Sequence, residues 1–585
     1  MTRRTALLAL GVLPISLHPF SALAQGADPG APKWYLLKGG TLLDSAGKTR
    51  PSTDIAIKDG IVAAIGANLR VTPGFRVIDA TKWTIQAGSV NAASRFGLTP
   101  PGAADARGSR HPLSTLRADF RSADNYLPDD TATHYRRNGF AFAQILPGAG
   151  CISGQSALVS LVSKAATPAS RIIQPVTAVV ASLASDGQGG YPGSRMGHLA
   201  LLRQSLTDAR EAKSGTRQIS GSIATLRRVT DRKIPLVVRV SSDSEIEGLL
   251  RVVDSEIPLI LDVTGPLNRS INAIAKRKAK VIFNVDMADT APGIDSATLS
   301  PLRRIVHAFQ TPGKLEKSGV DFVLATAAPD RFYANIRRCI PNGLSLDGAR
   351  KAIHRNPAAW FDLSGDIKVG DRANISCWTA DPLVAEASTT LTFVDGTLSD
   401  SQADNAGRPG TPGNAIPAIK FVLSAFDKPV GSSLPQSDAV LIKNATIWTS
   451  EATGIIKESD ILFSNGKVTA VGSKLSAPRN ARIIDGTGLH VTPGIIDCHS
   501  HTAVVGGVNE GTNIITAECR IEDVLDPDDI NIYRQLAGGT TAANILHGSA
   551  NAIGGQNAVV KWRWGSGASA LLIESAPQGI KFALG

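Results

Sequence analysis

Short apolar runs that alternate with polar residues, punctuated by Gly and Asp turns, fill residues 34–83 and predict the strands of a small β-sandwich. From 84 to 365 the pattern changes. Strand-like apolar runs now alternate with helix-period stretches: PLVVRV from Pro235, then EIEGLLRVV, PLILDV, a basic helix-like stretch, and AKVIFNV. Repeated strand–helix units over roughly 280 residues fit a (β/α)8 barrel better than an open sheet. After Asn356-Pro357-Ala358 the period returns to that of strands, and 366–397 complete the first sandwich. A Gly/Pro/Ser-rich stretch, 398–437, reads as a linker.

Beyond the linker the plan starts again. KGGTLLD at Lys38 is similar to KNATIWT at Lys443, and DGIVAAIG at Asp59 to NGKVTAVG at Asn465. VIDATKWTIQAG, Val77 to Gly88, aligns with IIDGTGLHVTPG, Ile483 to Gly494. NGFAFAQILPGAGCISGQSALV from Asn138 parallels GGTTAANILHGSANAIGGQNAVV from Gly538, with one residue inserted. Self-similarity in constant order predicts a duplicated domain. The expected architecture is α/β: a (β/α)8 TIM-like barrel plus a composite β-sandwich, duplicated. In the second copy the sandwich spans 438–490 and the barrel 491–585. That second barrel is incomplete, since the strand pattern breaks off at Gly585, and a truncated sequence is the expectation.

Candidate chemistry centres on VTPGIIDCHSH, Val491 to His501. Strand residues two apart share a face, so His499 and His501 project together and offer two nitrogen ligands to one divalent ion. Two surface histidines would give the same spacing. Asp497 falls on the same face and could orient a ligating imidazole. The loop HGSANAIGGQ lets backbone approach a ligand closely. Gly554, Gly555 and Gln556 are its substrate-binding candidates, and a tight connection between elements explains the composition equally. It lacks the Lys-Ser/Thr of a phosphate loop. Glu518, Asp523 and Asp526 read as solvated loop acids, and His547, aligned with Pro147, is not read as a ligand.

Composition narrows the classes. At 585 residues several domains are expected, and 43% apolar with 19% charged residues is globular. A net charge of +11 without a Lys/Arg run, and with few interleaved aromatics, argues against nucleic acid as a partner. Arg3 and Arg4, the apolar run Ala6 to Leu17 and Ala22-Leu23-Ala24 form the pattern of a secretory signal peptide over 1–24. The apolar run is too short for a membrane anchor. A periplasmic or secreted protein is expected. Five cysteines, an odd number, do not form a disulfide framework.

The chain resembles the amidohydrolase superfamily, in particular exported imidazolonepropionase-like members. The resemblance rests on the turn-strand before each barrel, VTPGIIDCHSH, GSANAIGGQ, and NPA…GDIKVGDRANI. It implies a metal-dependent hydrolase of carbon–nitrogen bonds, acting on an amide, cyclic amide or small peptide, with one or two divalent ions. Zinc is favoured, with iron, nickel or manganese as alternatives. It also implies a fourth-strand ligand, which puts Lys581 beside His499 and His501 as a metal residue provided the amine is carboxylated. A solvent-facing or anion-facing lysine is the alternative. The catalytic strand-eight Asp falls beyond Gly585. In the first copy the implied ligand positions hold Ala93, Arg95, Arg239, Ser241, Val263 and Ala327 or Ala328, unless Asp330 substitutes through a shifted register. That barrel reads as a metal-free pseudo-enzyme, so a non-catalytic binding or scaffold protein is the competing expectation. Homo-oligomerisation is left open.

Overall fold

The structure, a computed structural model, describes residues 34–98, 115–148, 150–163, 167–184, 190–212, 220–288, 301–399 and 438–583. The stretch expected to be a signal peptide, 1–24, and nearly all of the expected linker, 398–437, lie outside these residues.

Three sharp hairpins show how local chemistry sets the strands. Lys58 pairs with Ile61 across Asp59-Gly60, Val394 with Thr397 across Asp395-Gly396, and Ser464 with Lys467 across Asn465-Gly466. In each, both turn residues have positive φ: 51° and 82°, 50° and 73°, 50° and 74°. That is the two-residue turn whose twist matches paired strands, and Asp or Asn followed by Gly adopts it at least cost. The strands joined by the first two form one sheet from both flanks of the barrel, and the third lies in a separate C-terminal sheet. Trp34–Leu43 lies between Thr49–Lys58 and Thr84–Ala87, and Thr84–Ala87 pairs with Ile375–Trp378, which comes almost 300 residues later. Tyr35, Leu37, Ile55, Ile57, Ile85, Ile375 and Phe393 alternate onto its buried face.

The barrel sheet has eight strands in chain order, from Ser89–Ser94 to Phe322–Ala325. One strand departs from the (β/α)8 expectation. Ile152–Ser160 runs antiparallel to both neighbours, Phe140–Ile145 and Ile172–Ser182. Only residues 146–151 separate it from Phe140–Ile145, and a parallel return needs a crossover of a dozen or more. The remaining neighbours are parallel, as in Leu236–Val240 beside Leu259–Val263. Val90, Ala92, Val180, Val237, Ile282, Val323 and Ala325 fill the lumen. Val179, Val238, Leu261 and Val281 face the surrounding helices. The first and eighth strands are tied by Asn91, whose amide donates to the Thr326 carbonyl at 2.9 Å and accepts from Thr326 N at 3.0 Å. Ser194, Ser220 and Ser242 cap the helices Arg195–Glu211, Gly221–Thr230 and Asp243–Val252.

In the C-terminal segment, Ala439–Trp448 pairs antiparallel with Ile455–Ser464 and parallel with Arg482–Asp485. The N-terminal Trp34–Leu43 pairs in the same way with Thr49–Lys58 and Arg76–Asp79. Ile495–Ser500, Thr540–Ile545 and Ala558–Lys561 then form a three-stranded sheet. Its outer residues Ile495 and Ile496 are 57% and 69% exposed.

This segment rests on the helices of the N-terminal barrel, and the contact corrects one sequence expectation. Asp523 is not solvated: it is buried and held by Arg203. Asp526 accepts from Ser244 Oγ at 3.2 Å, and burial raises its pKa. Arg269 bridges Glu247 at 2.6 Å and Asp528 at 2.7 Å. Among the described residues no helix is long and apolar enough to cross a membrane.

Candidate functional site

His499 is the penultimate residue of the strand Ile495–Ser500 and His501 follows the strand. Their ring centroids lie 5.0 Å apart with planes at 84°, and both side chains are exposed. His501 Nδ1 sits 3.0 Å from the Leu546 carbonyl. A carbonyl only accepts, so Nδ1 carries the proton and Nε2 keeps its lone pair for a ligand. The Asp497 carboxylate accepts from His499 N at 3.1 Å, which stiffens the strand end beneath the imidazole. Two imidazoles so arranged fit as part of a ligand set. They do not complete one: among the described residues no group of three or more His, Cys, Asp or Glu could hold a metal ion.

Lys581 lies on the short strand Ile580–Phe582, half-buried between two exposed neighbours. Ile553 pairs with Phe582 and Gln556 with Ile580. In the N-terminal barrel the aligned Ile152 and Gln155 pair with Ala181 and Val179. Lys581 therefore holds the register of Val180, a lumen residue.

Packing accounts for the residue types of the GGQ loop. A Cβ on Gly555 would come within 2.7 Å of the Cys519 carbonyl, and one on Gly554 within 2.5 Å of His547 Nδ1. Gln556 Nε2 donates to the Ala517 carbonyl at 3.0 Å. His547 is buried and accepts the Glu510 backbone N–H at Nε2, 2.8 Å away. Its role there is structural.

At the mouth of the N-terminal barrel a different group stands. Arg95 Nη2 reaches Asp262 Oδ2 at 3.0 Å, and Arg239 Nε lies 4.0 Å from the same oxygen. The sixth-strand residue facing the mouth is thus Asp262, not Val263, whose side chain packs on the helix side. Pairing registers Arg239 directly with Asp262. Alternation along LILDV carried the signal, because Ile260 and Asp262 share a face, but which face is inward required the barrel. Burial and the Arg95 charge lower the pKa of Arg239, with Asp262 opposing. Ala327 and Ala328 contribute backbone N–H groups to buried Asp286, which also accepts from Thr326 Oγ1 at 2.8 Å. Burial outweighs these bonds and raises its pKa. Asp330 is exposed and pairs with His134 at 3.5 Å. Ser241 Oγ donates to Glu245 at 3.0 Å.

No protein-family model matches the chain. Amidohydrolase tasK from Hapsidospora irregularis is 37% identical over 145 residues, covering 21% of this chain and 15% of that protein. An imidazolonepropionase from Idiomarina loihiensis is 37% identical over 67 residues, 11% of this chain and 16% of its own length. A dihydroorotase from Halalkalibacterium halodurans is 40% identical over 67 residues, 12% and 15% respectively. The chain thus spans about a sixth of the length of these curated relatives. Among solved structures, an amidohydrolase from Thermotoga maritima superposes with a TM-score of 0.50 at 18% identity, over 63% of this chain and all of that one.

Proposed function

We propose, for a chain that belongs to the amidohydrolase superfamily and is imidazolonepropionase-like, hydrolysis of a carbon–nitrogen bond in an amide, cyclic amide or small peptide. The activity belongs to the C-terminal of two tandem copies in an exported protein. The observation that carries this reading is the His499–His501 pair, with Nε2 of His501 left free by the Leu546 carbonyl. His499 and His501 would hold a divalent ion, zinc before iron, nickel or manganese, and Lys581 would join them once carboxylated. Such an ion supplies the acidity that ionises water near neutral pH. The chain's own residues orient the ligands: Leu546 fixes the tautomer of His501, and Asp497 holds the strand end under His499.

A second reading is favoured by Arg95, Asp262 and Arg239. A barrel whose mouth holds an ion-paired triad in place of imidazoles supports binding rather than hydrolysis in the N-terminal copy. The test of the main reading is metal content by mass spectrometry on the purified protein and on its His499→Ala/His501→Ala double variant, with an amide and dipeptide substrate panel. One or two metal equivalents and hydrolysis, both lost in the variant, are expected. Absence of metal and of turnover in the unsubstituted protein refutes the reading.

A further inference from the structure

We propose that the mouth of the N-terminal barrel is an oxyanion-binding site, in which Arg95 and Arg239 are the guanidinium donors and Asp262 holds them together. The ligand class is a small carboxylate or phosphate.

The argument begins with charge. Among the described residues, Asp262 is the carboxylate within 4.0 Å of either guanidinium, and both reach for one of its oxygens. Within this group two fixed positive charges face one negative charge, a net +1 over the three side chains. Arginine keeps its proton under all ordinary conditions, so this charge is permanent.

Geometry points the same way. Arg95 follows the first strand, Arg239 lies at the end of the fifth, and Asp262 at the end of the sixth. All three strands run in parallel, so the three groups share the carboxyl end, where barrels of this architecture bind ligands. Asp262 is almost fully enclosed, with 2% of its side chain exposed, whereas Arg95 and Arg239 keep 31% and 37%. The carboxylate is the anchor and the guanidiniums face outward. Below them the lumen is largely apolar, lined by Val90, Val180, Val237 and Ile282, with Gln144 and Ser156 hydrogen-bonded to each other among them. An anion therefore meets a low-dielectric floor that strengthens its attraction to the cations above. Among the described residues Arg95 Nε has no hydrogen-bond partner, so a donor remains for a ligand. A carboxylate or phosphate can engage two N–H groups of one guanidinium side by side. The site is separate from the histidine pair, so its test does not depend on the proposed hydrolase activity.

Isothermal titration of the full chain at low ionic strength tests it, with sodium succinate in one arm and inorganic phosphate in the other. One-to-one binding of at least one probe is expected, and the responding arm identifies the source of the oxyanion. Arg239→Gln should weaken that binding at least tenfold while the circular dichroism and Tm stay near wild type. Arg239→Lys, which keeps the charge and loses the fork, should fall between. Asp262→Asn removes the internal competitor and should tighten binding; if that variant does not fold, the Arg239 pair decides alone. Saturable binding of neither probe, or undiminished binding by Arg239→Gln, overturns the proposal.

Discussion

Replacing Glu510 by Gln should weaken the contact between the C-terminal segment and the barrel it rests on. The Glu510 carboxylate is fully buried and sits at the N-terminus of helix Arg195–Glu211. One oxygen accepts from Gly193 N at 2.9 Å, Ser194 N at 2.7 Å and Ser194 Oγ at 2.7 Å. The other accepts from Thr512 N at 3.3 Å and the Thr512 hydroxyl. Among the described residues no Lys or Arg pairs with it, so hydrogen bonds and the helix terminus alone stabilise the charge. Glutamine keeps one acceptor and turns an N–H2 toward the other donors. Bonds to a charged acceptor contribute about 1.5–3 kcal/mol and neutral ones about 0.5–1.5. Demoting three bonds costs about 3–4 kcal/mol and leaving Thr512 N–H facing a donor adds about 1–3, about 4–7 kcal/mol in total. At about 2 °C per kcal/mol for a large domain, Tm should fall by about 8–14 °C. Hydrogen exchange at the first turn of the helix should rise with it. Burial works against ionisation here, but the bonds from Thr512, Ser194 and Gly193 outweigh it and lower the Glu510 pKa. A depressed carboxyl contributes stability above its unfolded pKa and loses it as pH falls through the folded value. The Tm gap between wild type and variant should therefore be full at pH 7 and close in acid. A variant melting within about 1 °C of wild type at pH 7 would refute the reasoning.

Other outcomes follow from single groups. Gly248→Ala lies inside helix Asp243–Val252, where alanine ordinarily stabilises by about 0.5–1 kcal/mol. Here the new Cβ would overlap the Asp523 carbonyl, so a loss of about 1–3 kcal/mol is expected in denaturant melts; a stabilised variant contradicts that contact. His354 is buried, and its pKa is pushed down to about 4 by burial first and by Arg350 second, with Asp366 and Asp381 opposing. The unfolded chain binds this proton first, so stability should fall by up to about 3 kcal/mol as pH drops from about 6.5 to 4. Asp286 and Asp523, both shifted up, oppose this trend. His354→Gln should remove that component of the acid limb, and an unchanged slope would count against it.

The hairpins were legible from residues alone, because Asp59-Gly60, Asp395-Gly396 and Asn465-Gly466 state their backbone geometry in their chemistry. So was the His499–His501 pair, since a period of two needs no tertiary information. Other expectations depended on distant chain. The inward residue of LILDV turns on how its strand meets Arg239 and Arg95. Asp523 read as a loop acid because its partner, Arg203, lies 320 residues away.

What the sequence by itself determined is therefore the local order: turns, the alternation of strands and helices, the repeated motifs and the spacing of the candidate ligands. Each depends on backbone preference or side-chain period within a few residues. Tertiary structure alone decided the antiparallel third strand, the Arg95–Asp262–Arg239 group and the burial of Glu510 beneath a helix 316 residues away in the chain. These depend on which charges and apolar faces meet once the sheet has closed, and local pattern does not encode that meeting.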